Sequence, residues 1–233
     1  NGNILNIISY IYRPADVTIN TGFDSNNPTI RTIQNRLDDT VNVFSFGAVG
    51  DGVTDDTAAI NRAIQQLYSL IYLDNSTKVR RTINFPAATY LVSSTILVPP
   101  YAKLVGDGRD NTVISSTNGS VPIFKTVDSQ YNGTGVTKPK DVYIQDMQLA
   151  ANVAAGSLTN SLLMVDSCAN GKFVNVKFSG NVAATNNLVY ITDSITATKN
   201  ITFDNCTFTN GGSGINVVVQ GSGISSVRVN NSA

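Results

Sequence analysis

Three aspartates in this chain occupy comparable settings, each followed by serine: Val127-Asp128-Ser129, Val165-Asp166-Ser167 and Thr192-Asp193-Ser194. Asp166 and Asp193 lie 27 residues apart, and Asp128 fits the preceding unit if residues 130–140 bulge out as an inserted loop. Turns that stack in a repetitive sheet would set these carboxylates in a column at the strand separation of about 4.8 Å. Neighbours in such a column approach the roughly 5 Å carboxyl separation of retaining glycoside hydrolysis, and alternate members the roughly 6.5–9.5 Å of the inverting reaction. Like charges so close raise at least one pKa, as a general acid requires. Asp128, Asp166 and Asp193 are therefore the candidate catalytic residues. The competing reading is an Asx-turn ending each strand, its carboxylate solvated or bonded to backbone N–H. It carries the greater weight, because such turns are routine at strand ends.

Composition narrows the chemistry further. Every acidic residue of the 233 is aspartate, and there is no His and no Trp. A general acid or base must then be Asp, Lys or Tyr, and a His-based triad or His-ligated zinc is excluded within these residues. No cofactor or metal site is expected. Tyr131 and Tyr143 could stack on sugar rings, though lone tyrosines carry little weight; Arg109 and Lys172 are available for calcium-dependent lyase chemistry, which needs an Arg or Lys beside an acidic cluster, but no spacing places them together. Net charge is zero, with no basic stripe of the kind nucleic-acid binding needs. Cys168 and Cys206 lack metal spacing and read as buried thiols. No apolar run approaches a membrane span; Ile4 to Tyr12 is too short and carries Asn6 and Ser9. The chain begins at Asn1 rather than Met, as a processed or partial product would.

The elements that must position these residues begin at a glycine-rich turn. Val41 to Phe46 is strand-like, Gly47, Gly50 and Gly52 form a tight corner, and a helix follows from about Asp56 to Leu70. Ile60, Ile64, Leu67 and Ile71 give that helix one apolar face. Thr54 or Asp55 is its N-cap, and Asp55 and Asp56 suit its positive end. A phosphate site is excluded: neither G-x-G-x-x-G nor a G-K-[ST] ending is present, and paired aspartates repel an anion. Before the turn, residues 1–40 differ in character. Ile4 to Tyr12 reads as a strand, and Thr29 to Asp39 as a short helix with Ile30, Ile33 and Leu37 on one stripe. That stripe suits a neck where copies of the chain meet; the alternative is packing on its own sheet.

From residue 140 the sequence repeats. Val142-x-Ile144-x-x-Met147-x-Leu149 aligns with Gly171-x-Phe173-x-x-Val176-x-Phe178, then with Ile201-x-Phe203-x-x-Cys206-x-Phe208 and Val227-x-Val229-x-x-Ser232, at spacings of 29, 30 and 26 residues. A second strand type, Leu162-x-Met164, Leu188-x-Tyr190 and Ile215-x-Val217-x-Val219, recurs out of phase. Short strands at this period indicate a parallel β-solenoid. Asp146, Asn175, Asn205 and Asn231 fall in register at the bend, where side chains that tolerate left-handed backbone belong. Phe173 is expected to stack over Phe203, and Phe178 over Phe208. The pattern breaks off at Ala233, so further coils or a partner are expected there.

The glycine-rich stretch Phe46 to Ile60, followed by Ile83 to Val92 and Ala102 to Gly108, resembles the opening of the pectate-lyase-superfamily β-helix domain found in bacteriophage tailspikes and tail fibres and in some polysaccharide-cleaving enzymes. The resemblance is specific over roughly residues 41–115 and looser beyond. It implies an all-β, right-handed parallel β-helix over residues 41–233, with an N-terminal capping helix at about 56–70 and a virion-attachment or neck segment over residues 1–40. It further implies a homotrimer on the virion tail, assembled in the host cytoplasm, with other tail or virion proteins and host cell-surface polysaccharide as partners. Depolymerase activity is common among such relatives. The polygalacturonase branch uses His-containing motifs that this chain lacks. Alternative readings are a secreted lyase or glycosidase acting on polysaccharide and a non-catalytic structural appendage of the virion.

Overall fold

The computed structural model describes residues 18–21, 29–32, 40–74, 82–130, 134–135, 137–151, 153, 159–180, 187–210 and 215–233. They fall into two units, Asn1–Val41 and Asn42–Ala233. In the first, strands Thr18–Thr21 and Thr29–Thr32 pair antiparallel, with Thr18 opposite Thr32. Thr29 therefore opens a strand, not the expected helix. Three of the four residues in Thr29-Ile30-Arg31-Thr32 are β-branched, which favours extended backbone over helix. The remainder of that expected helix, and the Ile4 to Tyr12 strand, lie outside the described residues.

The second unit is a right-handed parallel β-helix. One sheet runs through Ile96–Val98, Phe124–Thr126, Leu163–Asp166, Asn187–Thr192 and Ile215–Gln220. The other is built around two long strands, Tyr143–Ala151 and Lys172–Gly180, paired from Tyr143↔Lys172 to Ala150↔Ser179. Their halves continue onto separate shorter strands in adjacent coils: Lys103–Gly106 and Thr112–Ser116 on one side, Lys199–Asp204 and Thr207–Asn210 on the other.

The bend in each long strand is a left-handed residue. Asp146, Asn175, Asn205 and Asn231 have φ of 56°, 52°, 52° and 46°. Asn175 Nδ2 donates to Asp146 Oδ1 at 2.6 Å, and Asn205 Nδ2 to Asn175 Oδ1 at 3.3 Å. Asn231 leaves the ladder and donates to Asp204 Oδ1. A second ladder, not anticipated from sequence, marks the start of the same sheet. Asp141, Asn170 and Asn200 have φ of 51°, 59° and 54°, and are joined by Asn170 Nδ2 to Asp141 Oδ1 at 3.0 Å and Asn200 Nδ2 to Asn170 Oδ1 at 3.1 Å.

Inside, Phe173 stacks on Phe203 at 4.9 Å between ring centroids and Phe178 on Phe208 at 5.1 Å. Met147, Val176 and Cys206 fill the slot between these ladders and are buried. In the other sheet the inward phase runs through Leu163 and Val165, opposite Val189 and Ile191. That is one residue off the Leu162-x-Met164 spacing, because the unbroken apolar run from Leu162 to Val165 offers both phases and burial selects one.

At the first coil, the run expected as strand from Val41 to Phe46 becomes a strand only over Thr40–Asn42. Asn42 Oδ1 accepts from Phe44 N–H, and Val43–Phe46 winds into a 3-10 turn closed by Gly47 at φ 90°. Helix Thr57–Asp74 packs on this turn and on Ile96–Val98, with Ile60, Ala63 and Ile64 buried. Among the described residues no helix is long and apolar enough to cross a membrane.

Candidate functional site

The paired aspartates of the glycine-rich turn divide their work. Asp56, 1% exposed, turns back to accept from Val49 N–H at 2.7 Å and Gly50 N–H at 3.1 Å. Asp55 caps the helix by accepting from Thr57 N–H at 3.0 Å, and takes a further hydroxyl bond from Ser93. Burial raises the Asp55 carboxyl, but bonds from Ser93 and Thr57 more than offset this and hold it below its usual range. Both carboxylates thus hold the turn and the start of the helix in place.

The three Asp-Ser turns do not form a column. Asp166 is opposite Thr192, so Asp193 falls one residue beyond it. Counting on from Lys125↔Met164, Asp128 is level with Ser167. Matching the Asp-Ser motif would have turned Thr192 inward in place of Ile191. The apolar pair Val165 and Ile191 sets the register instead, since a one-residue slip exchanges core and surface faces.

Each carboxylate is instead engaged within the protein, by backbone N–H groups and, at Asp166, by two serine hydroxyls as well. Asp128, 2% exposed, accepts from Gln130 N–H at 3.1 Å, an Asx-turn, and from Gly135 N–H at 2.6 Å, which clips down the inserted loop. Asp166, 7% exposed, accepts from Ser167 Oγ at 2.9 Å and Ser194 N–H at 3.0 Å on one oxygen, and from Ser194 Oγ at 2.5 Å on the other. Asp193 accepts from Gly223 N–H at 2.6 Å. Asp166 and Asp193 thus each tie the corner of their own coil to the next one.

Two of the three do share a concavity. A groove of about 300 Å³ is lined by Asp128 and Asp166 together with Lys125, Lys138, Ser167 and Ser194; Asp193 is not part of its wall. The lysines were not foreseen. Lys138 sits beyond the inserted loop, where the repeat gives no positional signal. The groove wall combines two lysines and two serine hydroxyls with two buried carboxylates that are already hydrogen-bonded within the protein. Among the described residues no group of three His, Cys, Asp or Glu is placed to hold a metal ion.

The remaining sequence candidates separate. Arg109 bonds Thr207 Oγ1 at 3.1 Å and lies 3.9 Å from Asp110, which Lys177 also engages at 3.2 Å. Lys172 lies over the Tyr143 ring. Tyr131 is outside the described residues.

Comparison with known proteins places this geometry in context. Residues 40–233 match the family model described as rhamnogalacturonase A/epimerase, pectate lyase-like. The chain is 43% identical over 76 residues to the Arthroderma benhamiae protein named "Probable glucan endo-1,3-beta-glucosidase", covering 32% of this chain and 9% of that one. It is 31% identical over 112 residues to the pre-neck appendage protein of Bacillus phage B103, covering 48% of this chain and 11% of that one. Among solved structures, the Dettilon tailspike protein matches with a TM-score of 0.56 at 14% identity, over 86% of this chain and 40% of the tailspike. The chain thus spans about a tenth of the length of these two curated relatives.

Proposed function

The chain belongs to the rhamnogalacturonase A/epimerase, pectate-lyase-like family, and we propose that it is a phage tail appendage whose β-helix presents a surface to host cell-surface polysaccharide. In this reading residues 1–40 join it to other tail or virion proteins, three copies assemble in the host cytoplasm, the helix Thr57–Asp74 caps the first coil, and the finished protein resides on the virion tail. Similarity to the B103 appendage protein over 112 residues supports the phage assignment. The observation that carries recognition over catalysis is the state of Asp166. Both its oxygens are engaged by Ser194 and Ser167, which fits a residue that builds the groove wall.

A second reading keeps a depolymerase at this groove, with Asp128 and Asp166 as its carboxyl pair. Their shared concavity favours it, as does the glucanase named among the relatives. That relative equally suits a secreted polysaccharide-degrading enzyme. Incubation of the full-length protein with capsular or O-antigen polysaccharide, followed by assays for binding, reducing ends and unsaturated uronate, separates the three. Binding without product supports recognition. Product formation that Asp166→Asn abolishes without unfolding the protein supports the depolymerase. Absence from purified virions, together with recovery from culture medium, overturns the tail assignment.

A further inference from the structure

We propose that Asn170–Gly171 is a spontaneous deamidation site, held in check by the asparagine ladder to which it belongs, and that its conversion unfastens two coils of the β-helix. The inference is independent of what the β-helix binds.

Two separate packing requirements meet at this dipeptide. Position 170 is an exposed corner with φ of 59°, a left-handed backbone that asparagine tolerates. Its side chain is a rung of the ladder: Nδ2 donates to Asp141 Oδ1 at 3.0 Å, and Oδ1 accepts from Asn200 Nδ2 at 3.1 Å. Position 171 aligns with Val142 and Ile201, both buried in the core, yet it is glycine. A Cβ there would come within 2.9 Å of Ile201 Cδ1, so a side chain of the next coil already fills the slot. The other corner asparagines are followed by bulkier residues: Asn175 by Val176, Asn200 by Ile201, Asn205 by Cys206 and Asn231 by Ser232. Asn170 alone among them precedes a glycine.

That difference decides the chemistry. Gly171 N bonds to Asn170 Cγ, the Cγ–Nδ2 bond breaks, and the displaced amide nitrogen leaves as ammonia with the proton that Gly171 N gives up. One water then opens the resulting succinimide to aspartate or isoaspartate, and no oxidant, metal or further reactant is needed. A Cβ on the following residue crowds the attack, and Gly171 has none. The restraint is the ladder: with Nδ2 and Oδ1 tied to the coils on either side, the side chain has to leave its rung before Cγ can close on the Gly171 nitrogen. Conversion replaces the Nδ2 donor with a carboxylate oxygen facing Asp141. Like charges on neighbouring strands repel, and isoaspartate also adds a methylene to the backbone of the corner. The link between the Asp141 and Asn170 coils is lost in either product.

Ageing the full chain in mildly alkaline buffer, followed by peptide mass spectrometry with isoaspartate detection, tests this. Asp141→Ala and Asn200→Ala each remove one of the two restraining bonds and should speed conversion at Asn170 by about fivefold. Asp141→Asn, which keeps an acceptor, should stay within about twofold of the parent. Gly171→Ala in an Ile201→Val background, where Cδ1 no longer obstructs the new methyl group, should slow conversion severalfold. Asn118–Gly119 is the reference within the same molecule. Its side chain donates to Ser93 O and accepts from Ser120 N–H, outside the ladder, so its rate should match the parent's in every variant. Acceleration at Asn118 and Asn170 alike, or none at Asn170 when either ladder bond is removed, overturns the proposal. So does an Asn170→Asp variant with a parent-like urea midpoint, because conversion would then unfasten nothing.

Discussion

Asp166 holds Ser194 by both ends: one carboxylate oxygen accepts the Ser194 backbone N–H at 3.0 Å, and the other accepts its hydroxyl. The two residues sit on successive coils, so the pair works as a staple across the turn. Asp166→Ala removes the acceptors of the Ser194 N–H and hydroxyl, and because Ser194 is exposed and both groups can turn partly to water it should cost about 1–2 kcal/mol. Asp166→Asn keeps one acceptor and should cost about half as much. Urea denaturation of the two variants measures this. A parent-like midpoint for Asp166→Ala would show that the staple contributes nothing.

Asp193 and Gly221 make a sharper test of the same idea on the next coil. A Cβ placed on Gly221 would come within 1.8 Å of Asp193 Oδ1, the carboxylate that also accepts from Gly223 N–H. Gly221→Ala should therefore destabilise by about 1–3 kcal/mol. In an Asp193→Ala background the obstructing atoms are gone, and the same substitution should be nearly neutral. A double-mutant cycle should return a coupling of at least about 1 kcal/mol. Additive losses would mean that the glycine is needed for another reason.

Asn175 combines two contributions that substitution can separate. Its backbone is left-handed, with φ at 52°, and its side chain links Asp146 to Asn205. Asn175→Ala and Asn175→Gly lose the same hydrogen bonds, but alanine additionally meets a left-handed penalty of about 1–2 kcal/mol. Glycine returns part of that through its greater unfolded-state freedom. Asn175→Gly should thus be the more stable variant by about 1 kcal/mol, read from chemical denaturation midpoints. Equal stabilities would remove the strain account of this corner.

These cases show which parts of the molecule are legible from residues alone. The Phe173–Phe203 and Phe178–Phe208 stacks follow from the 2-3-2 inward spacing, because each slot admits only one register that keeps the aromatics inside. The same argument reaches the corner at Asp146, Asn175 and Asn205. It would also have reached the Asp141–Asn170–Asn200 ladder, which lies one residue before the aligned Val142, Gly171 and Ile201. The aspartate column failed because a polar motif was used to set register where the apolar pair of Val165 and Ile191 decides it. The groove was beyond reach for another reason. Lys125 and Lys138 line it from either side of the inserted loop, and an insertion carries no period from which to place its ends.

The buried thiol of Cys168 gives a prediction whose sign is fixed by linkage. Burial, and then the charge of Asp141, push this thiol from 9.0 up to about 12. Below pH 9 both folded and unfolded states keep the proton, and the native contribution is fully present. Above it the unfolded chain releases the proton while the native thiol retains it. The unfolded state then binds fewer protons, so stability falls with rising pH until the native thiol ionises as well, near 12. Other residues that titrate in this range, including Cys206, which burial also raises, contribute equally to the parent and to Cys168→Ala. The difference between the two isolates the one thiol. Cys168→Ala should start less stable, because it leaves a small cavity, and should lose stability less steeply from about pH 9 to about pH 11. Urea midpoints across that range measure the two slopes. Parallel slopes would mean that the Cys168 thiol ionises as readily in the native protein as in the unfolded chain.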